Sequence, residues 1–258
     1  MGMKLYAMQC GVLYSDKSVF VVGSGGKFDV PVPYYLIGHE KGWVLFDSGH
    51  SPSTVSGAKA LPQAILDGFR PAEFGDGFVL DSLKKAGVRP EDIAYHVCSH
   101  LHFDHAGGIG LFPNAAYVAQ RQELHYAYVP DPFVKAVYFR EDFDRDVDWL
   151  LLDGPSGGRH DLFGDGKIIV CHTPGHTPGH QSLLVNLEED GPMLLAQDAC
   201  FTEENLSGLK LPATACDSSA YVRTLRTFRD MQKRGVKIVP GHDPAAWREM
   251  RKFPDFYK

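Results

Sequence analysis

Ser99-His100-Leu101-His102-Phe103-Asp104-His105 places three imidazoles and a carboxylate within six residues, and Gly107-Gly108 follows. Imidazole nitrogen and carboxylate oxygen without thiolate suit zinc and, less selectively, iron, cobalt or manganese. A nitrogen and oxygen set lacking cysteine points to catalysis rather than to a structural zinc. His100 and His102 are two apart, so at an extended strand end they face the same way. Asp104 and His105 then fall in a turn that the glycines loosen, and four side chains can converge on two adjacent cations. A surface histidine cluster is the plainer reading, but more donors lie downstream. They are Thr173-Pro174-Gly175-His176-Thr177-Pro178-Gly179-His180, then Asp198 after the apolar run Met193 to Ala196, then Gly241-His242-Asp243 after Val236 to Val239. Each stands where a strand runs into a loop, which is where an α/β sheet gathers its functional residues.

The elements that must position these donors are also visible. Lys4 to Met8, Tyr34 to Ile37, Trp43 to Phe46 and Ile93 to Cys98 are strand-like runs bounded by Gly, Pro or Asp. The middle two read as a hairpin across residues 38–42. A helix is expected over Phe78 to Ala86, ended by Gly87 and Pro90. A longer one over Ser218 to Arg234 aligns Tyr221, Leu225, Phe228 and Met231 on a core-facing stripe and closes at Gly235. Periodicity alone gives α/β or α+β. Residues 51–74 and 126–149 are irregular and are expected to wall a pocket, although the aromatics of the second stretch equally suit a helix that buries them. His39, His125 and His160 have no donor partner at useful spacing. His50 and His172 lie beside the functional loops, and His180 repeats the Pro-Gly-His element, which suits a place behind the ligands.

Taken in order, H-x-H-x-D-H, T-P-G-H-T-x-G-H, D and G-H-D resemble the metallo-β-lactamase superfamily, and within it most closely the quorum-quenching N-acyl-homoserine lactonases. The likeness runs from Pro33 to Ile37 and Trp43 to Gly49 through to Phe253-Pro254-Asp255-Phe256. It implies a single α+β domain over 1–258, a four-layer αββα sandwich with metals at one edge. By the same resemblance His100, His102 and His176 would take one divalent ion, Asp104, His105 and His242 a second, and Asp198 would bridge them. Asp47 would hold a ligand imidazole by its other N–H. The implied enzyme is a dinuclear metal-dependent hydrolase that opens a lactone ring, N-acyl-homoserine lactones foremost. A hydroxide between the metals would attack the carbonyl, and Asp104 would carry the proton to the leaving alkoxide.

One position departs from the family. Three residues after the bridging aspartate these lactonases carry a tyrosine whose phenol reaches the substrate carbonyl, and here Phe201 stands there as a pocket residue. A lost donor to a developing oxyanion costs on the order of 10²-fold in rate, so Tyr221 or Tyr126 is a candidate replacement. The departure keeps another small lactone in view, of the pyridoxolactone or γ-butyrolactone type. A glyoxalase-II-like thioesterase shares the donors but adds a helical glutathione-binding region, for which the residues after His242 leave no room.

Composition agrees with a globular enzyme: 258 residues, 44% apolar and 22% charged. A net charge of −6 without a Lys/Arg run argues against nucleic acid as a partner. No run approaches the roughly 18 apolar residues that span a bilayer, and Met1 to Tyr6 opens no signal peptide. Five scattered cysteines without a C-x-x-C pair suit reduced thiols, hence the cytoplasm. Monomer and homodimer are both compatible with the sequence.

Overall fold

The computed structural model describes residues 2–56, 60–72 and 77–258. Strands β1 (Lys4–Asp16), β2 (Lys27–His39), β3 (Gly42–Phe46), β4 (Arg70–Ala72), β5 (Ile93–Val97), β6 (Ala116–Gln120) and β7 (Trp149–Leu152) form one sheet in the order β4-β1-β2-β3-β5-β6-β7. Strands β8 (Arg159–Asp161), β9 (Ile168–His172), β10 (Gln181–Leu187), β11 (Gly191–Gln197) and β12 (Lys237–Pro240) form the second in the order β12-β11-β10-β9-β8. The hairpin is present, with Tyr35 opposite Phe46 and His39 opposite Gly42.

Both faces of both sheets are apolar, and this decides the layering. Tyr35 and Ile37 of β2, Val97 of β5, Leu183 and Val185 of β10, and Met193 and Leu195 of β11 meet in one buried cluster between the sheets. Their strand neighbours Tyr34, Leu36, Leu184 and Leu194 point the other way and pack with helical residues in a second cluster. That second cluster includes Leu83 of the helix Val79–Ala86 and Tyr221, Leu225, Phe228 and Met231 of the helix Ser218–Lys233. The result is the α+β, four-layer αββα sandwich. Burying each such Leu, Phe or Met contributes about 1.5–3 kcal/mol.

The two expected helices begin and end for local reasons. Gly87 takes a left-handed φ of 69° and its N–H closes on Leu83 and Lys84. Asp217 caps the longer helix by accepting the Ala220 N–H at 2.8 Å. Residues 51–74, read above as irregular, hold the short helices Pro52–Val55 and Gln63–Gly68 and the edge strand β4. Of that stretch 57–59, 73 and Phe74 lie outside the described residues. In 126–149 the aromatics Tyr138, Phe139 and Phe143 are buried in the core, so the stretch serves packing more than it walls a pocket.

Candidate metal centre

Every donor emerges just past the C-terminal end of a strand. Asp47 follows β3, His100 to His105 follow β5, His176 follows β9, Asp198 follows β11 and His242 follows β12. β3 and β5 run parallel, as do β11 and β12, so these ends open on one edge of the sandwich. Hydrogen bonds across the two sheets fix the edge. The Gln181 N–H donates to Ser99 O at 2.8 Å, and Gln181 Nε2 donates to Cys98 O at 2.8 Å and Val118 O at 3.0 Å. The His242 loop is tied to the Asp198 loop through Gly241 N–H to Cys200 O and His242 N–H to Phe201 O.

The 99–108 segment differs in detail from the strand end expected. β5 stops at Val97, and His100 and His102 lie in the loop beyond it with ring planes 79° apart. Gly107 is there for space rather than for looseness. Its N–H bonds Gly49 O at 2.9 Å, and an added Cβ would lie 2.1 Å from Ser51 N.

The side chains gather in two groups, His100 with His102, His176 and Asp198, and Asp104 with His105 and His242; within each the donor atoms lie within 4.8 Å of one another. Asp198 faces both groups. Its Oδ2 is 3.6 Å from His100 Nε2 and 3.3 Å from His176 Nε2, while its Oδ1 is 3.3 Å from His105 Nε2 and 3.0 Å from His242 Nε2. His176 Nε2 lies 3.1 Å from His102 Nδ1, and Asp104 Oδ2 lies 3.5 Å from His105 Nε2. Donors about 2.0–2.1 Å from a tetrahedral zinc stand about 3.3 Å apart, and these separations bracket that value. His100 Nε2, His105 Nε2 and Asp198 Oδ1 are buried without a hydrogen-bond partner among the described residues. Leaving such atoms unpaired costs about 1–3 kcal/mol each, a cost that a cation between them removes. The residues fit a pair of metals.

Outer contacts set the tautomers. His105 Nδ1 donates to Asp47 Oδ2 at 2.8 Å and His242 Nδ1 to Pro31 O at 2.7 Å, so each Nε2 keeps its lone pair for the centre. His100 Nδ1 reaches Ser99 Oγ at 3.0 Å, and Ser99 Oγ donates to Asp47 Oδ2 at 2.7 Å. Asp47 also accepts from Ser99 N–H and from Gln197 Nε2. Both Asp47 and Gln197 hold positive φ, 58° and 47°, strain of the kind that persists where surrounding contacts enforce it.

Burial pushes His176 down to about 4 and holds His100, His102 and His180 well below the ordinary imidazole value, which keeps them neutral and able to ligate. Burial also pulls on His105, but the carboxylates of Asp104, Asp198 and Asp47 outweigh it and raise that imidazole well above its usual value. Burial would raise Asp198, yet the imidazoles of His242, His105, His100 and His176 hold its carboxyl well below the usual range. A divalent ion among these groups would displace the proton that the carboxylates favour on His105.

His102, Asp104, His176, Asp198 and His242 border a narrow cleft of about 40 Å³ whose other walls are Leu13, Phe20, Phe69, Phe103, Val137, Phe201 and Thr214. Phe201 stacks on His242 at 5.7 Å and stands edge-on to His176 at 5.2 Å. Neither tyrosine considered as its replacement borders the cleft: Tyr221 is fully buried, and the Tyr126 hydroxyl donates to Asp131 at 3.0 Å. His180 lies beside this group, with Nδ1 3.0 Å from Thr173 Oγ1 and its ring 5.3 Å from that of His100. His172 braces the same loop through Pro178 O at 3.2 Å, and His39 instead meets Asp165 at 2.9 Å. The sequence reading missed Gln197, Ser99, Thr214 and the buried Glu123. Only Ser99, beside the first histidine, had a local signal.

Residues 28–242 match the family described as the Metallo-beta-lactamase superfamily. The chain belongs to that superfamily. Within it, this member of the superfamily is 38% identical over 260 residues to the N-acyl homoserine lactonase AttM of Rhizobium radiobacter, covering 98% of each chain. An N-acyl homoserine lactonase of a Bacillus species is 32% identical over 257 residues, again 98% of each. Among solved structures, an N-acyl homoserine lactone hydrolase with the product N-hexanoyl-L-homoserine at its catalytic metal centre superposes with a TM-score of 0.87. That pair shares 29% identity, over 99% of this chain and all of the other.

Proposed function

We propose that the protein is a dinuclear metal-dependent lactonase that opens N-acyl-homoserine lactones. The observation that carries this is the pair of donor groups sharing one carboxylate, with Asp198 Oδ2 facing His100 and His176 and Oδ1 facing His105 and His242. His100, His102 and His176 would hold one ion and Asp104, His105 and His242 the other, with Asp198 between them. Zinc suits this nitrogen and oxygen set best, with iron, cobalt or manganese as substitutes. Divalent ions there supply polarisation of a carbonyl and a lowered pKa for water.

The chain's own residues supply the rest. Asp104 borders the cleft, and although burial pushes its carboxyl up, the neighbouring His105 helps hold it below the usual range, so it is ionised at neutral pH. It takes a proton as water adds to the lactone carbonyl and returns it to the ring oxygen as that C–O bond breaks, leaving a hydroxy acid. Phe20, Phe69, Phe103 and Phe201 exclude water and give an acyl chain an apolar surface. Phe201 offers no hydroxyl to the substrate, and the tight aromatic cleft favours a second reading in which a small unsubstituted lactone is the better substrate.

All five cysteines are free, which suits a reducing compartment such as the cytoplasm. No helix among the described residues is long and apolar enough to cross a membrane. The test is a panel of acyl-homoserine lactones, γ-butyrolactone and a thioester, followed by proton release with native and chelator-treated protein. Turnover of a lactone that chelation abolishes and zinc restores is the expected result. Undiminished turnover by metal-free protein, or hydrolysis of the thioester alone, would overturn the reading.

A further inference from the structure

The two halves of the centre are held in different ways. His105 and His242 are fixed through their outer ring nitrogens by Asp47 and Pro31 O, but His102 Nε2 and His176 Nδ1 have no hydrogen-bond partner among the described residues. Ligating histidines ordinarily use that second nitrogen to fix the ring. Glu123, in the helix Arg121–Tyr128, is 1% exposed and accepts four hydrogen bonds from the chain around these rings. Its Oε1 takes the N–H of Leu101, the residue between His100 and His102, at 3.1 Å. Its Oε2 takes the hydroxyl of Thr177, which follows His176, at 2.6 Å, and the Gly179 N–H at 3.3 Å. The fourth donor is the Tyr138 hydroxyl at 3.0 Å on Oε1, and the ring of Tyr138 stands edge-to-face with His102 at 4.5 Å. The 177–180 loop lies directly on the helix, since a Cβ added to Gly179 would sit 2.3 Å from Glu123 N.

We infer that Glu123 is a positioning residue for one half of the metal centre, clamping the chain beside His100, His102 and His176 and so holding the two of these rings, His102 and His176, that lack an outer contact among the described residues. None of its four donors belongs to Asp104, His105, His242 or their immediate neighbours. The clamp therefore acts on one ion and not on the other. Carboxylate chemistry is required, because each oxygen of Glu123 accepts a backbone N–H, Leu101 on Oε1 and Gly179 on Oε2, and an amide nitrogen in either place sets N–H against N–H.

The inference rests on the two-metal reading and is tested by metal uptake rather than turnover. Full-length apo-protein is titrated with zinc against a chromophoric chelator, for the native chain, Glu123→Gln and the milder Thr177→Val. In Glu123→Gln one zinc equivalent should weaken about ten- to a hundredfold while the other keeps its native affinity. Thr177→Val should give a smaller loss in the same equivalent, and it serves alone if Glu123→Gln fails to fold. Introduced into His242→Ala, which retains the clamped group, either change should weaken the stronger zinc that remains. Equal weakening of both equivalents, selective loss of the other one, or native affinity for both would overturn the clamp. A native chain that takes up fewer than two equivalents would overturn the dinuclear reading instead.

Discussion

Asp47→Asn isolates the support behind the centre, because asparagine keeps the side chain's shape and tolerates the left-handed backbone that Asp47 adopts at φ 58°. Asp47 Oδ2 accepts from Ser99 Oγ at 2.7 Å, from His105 Nδ1 at 2.8 Å and from Gln197 Nε2, whereas Oδ1 accepts the Ser99 N–H at 2.6 Å. The least costly amide orientation therefore keeps oxygen towards the three donors and turns its NH2 against Ser99 N–H. That removes one hydrogen bond to a charged acceptor, about 1.5–3 kcal/mol, and takes the charge from the other three. His105 feels this directly and His100 through Ser99, so both ions should be bound more weakly, by about 10- to 100-fold. The assay is a competitive zinc titration of the native and variant proteins, with far-UV circular dichroism to confirm the fold. A folded variant that binds both ions with native affinity would refute the assignment of Asp47 as the residue that orients these imidazoles.

Replacing Phe201 by tyrosine should leave turnover of acyl-homoserine lactones unchanged or raise it, by up to about 10²-fold if the phenol reaches the carbonyl; a loss of about a thousandfold would show that this ring shapes a pocket for something else. His96 is fully buried against Phe112 and Tyr117, and burial pushes its pKa down to about 3. The unfolded chain, with an imidazole pKa of about 6.5, then binds a proton that the fold does not, so stability is complete above that value and falls as pH drops. From this residue alone the loss between pH 7 and pH 5 is about 2 kcal/mol, and urea unfolding of His96→Leu should show a correspondingly flatter pH dependence; an unaltered slope would contradict it. Chelation should lower the melting temperature as well as abolish turnover, since the orphaned donors lose their cation, and a metal-free protein with an unshifted transition would count against the centre.

The donors were legible because each carries a local mark: two histidines beside an Asp-His pair, a repeated Pro-Gly-His, an aspartate ending an apolar strand, a Gly-His-Asp after another. Strand and helix runs were legible for the same reason. The order of strands was not, since Tyr34 and Tyr35 are both buried, on opposite faces, and leave no alternation to read. Glu123 was invisible for a different cause. An acid in the first turn of a helix is an ordinary feature, and its partners stand 22, 54 and 56 residues away at Leu101, Thr177 and Gly179. Gly107 was recognised as special but for the wrong reason, because close approach between distant backbones leaves no trace in local composition. Tyr221 and Tyr126 could be named as hydroxyl donors from sequence but not tested against a cleft that only the folded chain defines.

The donors ride on strand ends braced from behind by Asp47 and Glu123, while Phe69 reaches the cleft from the link between the helix Gln63–Gly68 and β4, outside that frame. Reactivity and selectivity are thereby housed in separable parts of the molecule. Exchange of the segment around residue 69 offers a route to new ester preferences with the hydrolytic machinery carried over whole, so the scaffold is suited to retuning by directed evolution.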